Sequence, residues 1–266
     1  MNFKLLAFDL DDTLLNEENQ ISPGNVEALR RAAARGLLIT IATGRMFRST
    51  LPYARQLGID LPLITYHGAL IRKAAGGQDI WHRPIPLEES IMVAEYALKR
   101  GYHLNLFVDD TFCIPEENRY TRAYQTLSNV EFRHIGNQVE FLKREKVLPT
   151  KMNIVSLDGV ERIMDEMRDR FSGQVAFTMA RSNFLEIIHP EATKGNALKH
   201  LAEQAGIKRE EVAAIGDSLN DISMLEYAGT GVAVANAREE VKRVAQVITL
   251  SNLEDGVAHF IENNVL

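Results

Sequence analysis

Four short stretches of this sequence concentrate residues suited to handling a phosphate group. They are Asp9-Leu10-Asp11-Asp12-Thr13, Thr43-Gly44-Arg45, Thr193-Lys194-Gly195-Asn196 and Gly216-Asp217-Ser218-Leu219-Asn220-Asp221. Five carboxylates converging on one site would repel one another strongly. Two unit charges about 4 Å apart interact by roughly 4 kcal/mol at an effective dielectric near 20. Such a cluster calls for a cation, and a donor set made only of oxygens points to a hard one such as Mg2+. Within it, Asp9 is suited to in-line attack on phosphorus. Asp11, two residues on, is placed to protonate the leaving oxygen and then to deprotonate the attacking water. Thr43 and the backbone N–H of Gly44 can bind phosphate oxygens, while Lys194 can neutralise the charge of the pentacoordinate state. Asp217 completes a metal shell, with Asn220 and Asp221 orienting ligands from the helix start that follows. A lysine is mildly disfavoured at the beginning of a helix. A bound anion makes the position of Lys194 easier to explain.

The elements that must position these residues follow from hydrophobic patterning. LLAF (5–8), LLITIAT (37–43) and VAAIG (212–216) read as buried parallel strands, being short, apolar and followed by helical patterns. PLITY (62–66), GVAVA (231–235) and AQVITL (245–250) fit further strands of the same sheet. Between the first two strands lies a helix with Ser22 as N-cap, Pro23 in its first turn and Gly36 closing it. This alternation predicts an α/β fold with a doubly wound, Rossmann-like parallel sheet, whose ligands bind beyond the carboxyl ends of the strands. The middle of the chain changes character. After Pro84 and Pro86, a helical stretch leads into YHLNLFV, a turn at Asp109 and Asp110, and FCI, the pattern of a hairpin. A second helix and two tightly joined strands follow. Hairpins need antiparallel pairing, so residues 84–187 read as an inserted α+β domain between core segments 1–83 and 188–266. The Pro84/Pro86 and His189–Pro190 segments read as hinges.

Composition narrows the classes of partner. The 266 residues are 45% apolar, enough for a substantial core, and a net charge of -6 argues against nucleic-acid binding. A single cysteine, Cys113, forbids an intramolecular disulfide and reads as a small apolar filler. No apolar stretch approaches the roughly 18 residues of a membrane span, and the first residues lack a secretory pattern, so a soluble cytoplasmic protein is expected. No G-x-G-x-x-G follows the first strand and no P-loop occurs, which removes the main support for a nucleotide-cofactor fold.

The strings DLDDTLL, ATGR, TKGNAL and GDSLNDISML stand in the order of the four motifs of the haloacid dehalogenase-like superfamily. The length of the insert, YHGALI and the tail GTGVAVANA…VITLSNLEDGVAHFI resemble its Cof-type branch of bacterial sugar-phosphate phosphatases. The resemblance covers essentially the whole chain. It implies a large αβ cap between the second and third motifs, Asp9 as nucleophile, and Asp11 as acid/base and backbone-carbonyl metal ligand. Asp9, Asp11 and Asp217 would hold Mg2+, supported by Ser218 and Asp221. Leu10, Thr43, Gly44, Lys194 and Asn220 would bind the substrate phosphate. The implied activity is hydrolysis of a small phosphorylated metabolite, sugar phosphates foremost, through an aspartyl-phosphate on Asp9. Phosphomutase-type transfer uses the same proton shuttle and stays open. A phosphate-sensing module is disfavoured, because an inserted cap suits an enzyme that closes over its substrate. Two positions depart from the common pattern: Asp12 replaces a frequent glycine, and His67 replaces a usual asparagine. Arg45 reads equally as phosphate support or as a structural partner. His67 reads as a structural or substrate contact rather than as a catalyst.

Overall fold

The computed structural model describes residues 3–58, 62–128 and 130–266, which form two compact units. One comprises the chain up to Trp81 together with Thr193–Leu266; the other is His82–Ala192. The first opens with β1 (Leu5–Phe8), four fully buried apolar residues. In α1 (Pro23–Ala34), the Ser22 hydroxyl accepts from the Asn25 N–H at 3.1 Å, satisfying one of the orphan donors of the first turn. Pro23 costs that turn nothing, since its missing N–H has no helical partner to lose. Then come β2 (Leu38–Ile41), α2 (Phe47–Leu57), β3 (Pro62–Thr65), β4 (Leu70–Lys73) and β5 (Asp79–His82).

Within the inserted unit the order is α3 (Leu87–Arg100), β6 (His103–Val108), β7 (Thr111–Ile114), α4 (Arg119–Ser128), β8 (Phe132–His134) and α5 (Gln138–Glu145). It continues with β9 (Lys151–Val155), α6 (Glu161–Phe171), β10 (Ala176–Arg181) and β11 (Phe184–Ile188). These strands form a sheet in the order β10-β11-β9-β6-β7-β8, antiparallel in β10-β11-β9-β6-β7 and parallel between β7 and β8. Asp109 and Asp110 both lie in the left-handed region, at φ 48° and 55°, as a two-residue hairpin turn of the right twist requires. Alternate residues of the sheet build one core: Leu104, Leu106, Met152, Ile154, Leu185 and Ile187 pack with Val93 and Ala97 of α3, Phe141 of α5 and Met167 of α6. Cys113 is buried in that core.

The chain returns to the first unit through α7 (Lys194–Gln204), β12 (Val212–Gly216), α8 (Ile222–Tyr227), β13 (Thr230–Ala233), α9 (Glu239–Val244), β14 (Val247–Ile248) and α10 (Gly256–Asn264). Its main sheet runs β14-β13-β12-β1-β2 with every pairing parallel. Here β1 and β12 lie side by side although they are distant in sequence. PLITY does not extend that sheet as expected. It lies alongside the end of β2 through a parallel bridge from Ala42 to Ile64, the Thr43 N–H donating to the Ile64 carbonyl at 2.9 Å and the Thr40 hydroxyl donating to the Pro62 carbonyl at 2.7 Å. It pairs antiparallel with β4 in a separate sheet of order β3-β4-β5. The cause is a sharp reversal: Tyr66, His67 and Gly68 are all left-handed, at φ 52°, 59° and 101°, which folds β4 back on β3. No helix among the described residues is long and apolar enough to cross a membrane.

Candidate active site

Because β1 and β12 are neighbours, with Phe8 opposite Ile215, their next residues emerge together. The Asp9 N–H donates to the Ile215 carbonyl at 3.0 Å, which fixes where β1 ends. Asp9, Asp217 and Asp221 bring carboxylate oxygens within 4.8 Å of one another, all three residues being buried. Lys194 is fully buried among them, with Nζ 2.9 Å from Asp9 Oδ1 and 2.5 Å from Asp221 Oδ1. It stands at the first position of α7, whose cap Thr193 accepts from the Asn196 N–H at 3.0 Å. Gly195 lets this helix start lie against α8, for a Cβ there would fall 2.2 Å from the Ser223 carbonyl oxygen.

The remaining oxygens are committed in an orderly way. Asp221 Oδ2 accepts from the N–H groups of Asp217 and Ser218 at 3.0 and 2.9 Å, so both its oxygens are occupied. Asp217 accepts from the Thr13 hydroxyl at 2.7 Å and from the Ser218 hydroxyl at 2.6 Å. Asp9 Oδ1 accepts from the Leu10 N–H at 2.7 Å. Three carboxylates face one ammonium. Burial, reinforced by the charges of Asp221, Asp217 and Asp11, holds the Asp9 pKa well above the usual carboxylate range despite Lys194. Burial and then the Asp221 charge push Asp217 up to about 6. Burial disfavours the Lys194 ammonium, but the charges of Asp221 and Asp9 outweigh it and raise its pKa. Uncompensated negative charge on oxygen donors is the setting that a hard divalent cation relieves, so the residues present fit one.

Asp11 and Asp12 do not join this cluster, contrary to the expected convergence of five carboxylates. Arg45 grips Asp11 bidentately, Nε to Oδ2 at 2.8 Å and Nη2 to Oδ1 at 2.5 Å, and also donates to Tyr53 and Asn19, each at 3.0 Å. The Asp11 side chain stays 45% exposed. Asp12 is exposed, at φ 57°, a left-handed conformation that explains why glycine suits its place. Thr43 is buried, and its hydroxyl accepts from the Arg45 N–H at 3.2 Å. Gly44 lies against the His67 ring, where a Cβ would meet Cε1 at 2.3 Å. Asn220 places Nδ2 3.2 Å from His67 Nδ1.

A family model for haloacid dehalogenase-like hydrolases matches residues 6–261 of the chain. The chain belongs to that family. Among its relatives, Phosphatase YwpJ of Bacillus subtilis (strain 168) is 32% identical over 285 residues, covering 98% of this chain and 99% of that protein. The 5-amino-6-(5-phospho-D-ribitylamino)uracil phosphatase YwtE of the same organism is 32% identical over 282 residues, covering 97% of each. The crystal structure of TM0651 from Thermotoga maritima superposes with a TM-score of 0.89 at 30% identity, covering 99% of this chain and 98% of that one. This member of the haloacid dehalogenase-like family is a phosphatase, as these curated relatives are. Three pairings in the site were not read from the sequence, although Arg45, His67 and Asn220 were themselves singled out there. These are the Thr13 hydroxyl on Asp217, the Arg45 fork on Asp11, and the link between His67 and Asn220. Thr13 had a signal, standing two residues after Asp11; the other two depend on how separate loops meet.

Proposed function

We propose that the protein hydrolyses phosphate monoesters of small polyhydroxylated metabolites, sugar phosphates foremost, through a phosphate carried on Asp9. The observation that carries this reading is the buried Asp9 carboxylate, salt-bridged to Lys194 at 2.9 Å beside the acidic cluster. One Asp9 oxygen attacks phosphorus while the bond to the leaving oxygen breaks and Asp11 supplies the proton. Asp11 then takes a proton from water as that water attacks the same phosphorus, the bond to Asp9 breaks, and phosphate leaves. Arg45 orients Asp11 for both steps, and proton donation requires that Asp11 loosen the bidentate grip. The Leu10 and Gly44 N–H groups, the Thr43 hydroxyl, Lys194 and Asn220 receive the phosphate oxygens.

Asp9, Asp217 and the backbone carbonyl of Asp11 would hold Mg2+, with Ser218 and Asp221 steadying Asp217. When bound, the ion neutralises charge on the phosphate and the carboxylates. The substrate class draws on YwtE, whose named substrate carries its phosphate on a ribityl chain, a polyol like an open sugar.

The test is phosphate release in Mg2+ from a panel of sugar phosphates and the ribitylaminouracil phosphate. Asp9→Asn should lower kcat by about a thousandfold or more, while Asp11→Asn should accumulate labelled phosphoenzyme in a quench experiment. Near-normal turnover by Asp9→Asn removes Asp9 as nucleophile.

A further inference from the structure

The Asn220 side chain presents an unresolved pairing. Its Nδ2 faces His67 Nδ1 at 3.2 Å, while its Oδ1 is buried with no hydrogen-bond partner among the described residues. An amide nitrogen only donates, so in this arrangement the ring accepts at Nδ1 and carries its proton on Nε2. One Asn220 N–H is then spent on the ring, and an orphaned acceptor is left in a site built for an anion.

Turning the amide by half a turn, with the ring proton on Nδ1, resolves both defects. The ring donates to the Asn220 oxygen, and both N–H bonds are released to phosphate oxygens. Between the two arrangements the ring gives up the proton on Nε2 and takes one up on Nδ1, so its proton count is unchanged.

His67 is held where it can make this choice. It is 4% exposed, and its backbone at φ 59° is fixed by an N–H donated to the Thr43 carbonyl at 3.0 Å. Its ring lies on Gly44, so one side chain bridges the loop after β2 and the loop after β12. We infer that His67 is a positioning residue that aims the Asn220 amide at the substrate phosphate, donating from Nδ1 to the Asn220 oxygen when the anion is bound. The inference rests on the phosphatase reading of the site.

The test follows anion binding directly, on Mg2+-loaded protein with inorganic phosphate and orthovanadate. In 15N-histidine spectra, the His67 signals, assigned by their loss in His67→Asn, should change from the Nε2–H to the Nδ1–H pattern on vanadate addition. His67→Gly keeps the left-handed backbone accessible and should weaken vanadate binding about tenfold, as should Asn220→Ala, with KM rising more than kcat falls. The double variant should bind no more weakly than either single one, the signature of two residues acting as a unit. His67→Asn should recover much of the affinity, because an amide there tolerates the backbone and can donate to the Asn220 oxygen. If His67→Gly fails to fold, the wild-type spectra and His67→Asn still decide. An unchanged ring tautomer, or additive losses in the double variant, overturns the inference while leaving the phosphatase reading intact. A wild-type protein that neither binds phosphate nor releases it from any monoester removes both.

Discussion

Burial and the adjacent Asp221 charge push the Asp217 carboxyl up to about 6 from its ordinary 3.8, and the consequence has a definite sign. A carboxyl whose folded pKa exceeds its unfolded one binds protons more tightly in the native state. The stability it contributes is therefore present at low pH and is lost as pH rises from 3.8 through about 6. Above that range the metal-free protein holds an ionised, poorly compensated group, and a cation competes with protons for it. Mg2+ should accordingly raise the melting temperature more near pH 7.5 than near pH 5, and thermal melts at matched ionic strength check this. Equal shifts at both pH values would remove Asp217 from the cation site. At this scale the sequence was informative about types and strand ends: Asp9, Lys194 and Asp217 meet because each stands at the end or start of a recognisable element. It left Arg45 open between phosphate support and a structural partner, since the bidentate pairing with Asp11 depends on the directions two loops take after leaving β1 and β2.

Between elements, the position of Lys194 depends on how closely α7 approaches α8. Gly195 has a helical backbone, so an alanine there suffers no conformational penalty, but its Cβ would sit 2.2 Å from the Ser223 carbonyl oxygen. Neither partner is the end of a flexible side chain, so the start of α7 must shift, carrying Lys194 away from Asp9 and Asp221. Gly195→Ala should cost about 1–3 kcal/mol in urea unfolding, as overpacking does, and should lower kcat as well. A variant that loses stability but keeps full kcat would mean that Lys194 tolerates displacement. The buried strands β1, β2 and β12 were legible because continuous apolar runs have few other homes in an α/β fold. The antiparallel return of β4 on β3 was not, because its left-handed stretch opens on Tyr66, a bulky residue that rarely adopts a positive φ. Helix α4 escaped for a different reason: Arg119–Ser128 offers one aliphatic side chain larger than alanine, Leu127, so no apolar stripe announces it.

On the scale of the whole molecule, an insertion was readable because the pattern switches from isolated apolar runs to hairpins and back. The physical basis of the switch is that His82–Ala192 builds a core of its own. Val93, Phe141, Met167 and Phe171 cover one face of its sheet, all nearly inaccessible to solvent. On the sheet's other face Lys151 and Glu186 form a buried ion pair and Asn105 donates to Asn153 at 3.0 Å, while Asn105 Oδ1 and Asn153 Nδ2 are buried without a partner among the described residues. A segment of this size with a closed core lies within the range of independently folding domains. Residues 82–192 expressed alone should therefore unfold cooperatively in urea, with coincident transitions in far-ultraviolet circular dichroism and aromatic fluorescence. The fragment should release no phosphate, because Asp9, Lys194 and Asp217 all lie outside it. Glu186→Gln provides the internal control. Removing one charge from a buried pair strands the other, so this variant should destabilise the intact chain, in which the pair is buried, by about 3–5 kcal/mol. Broad, non-coincident transitions in the unsubstituted fragment would show that its core is completed only by the rest of the chain.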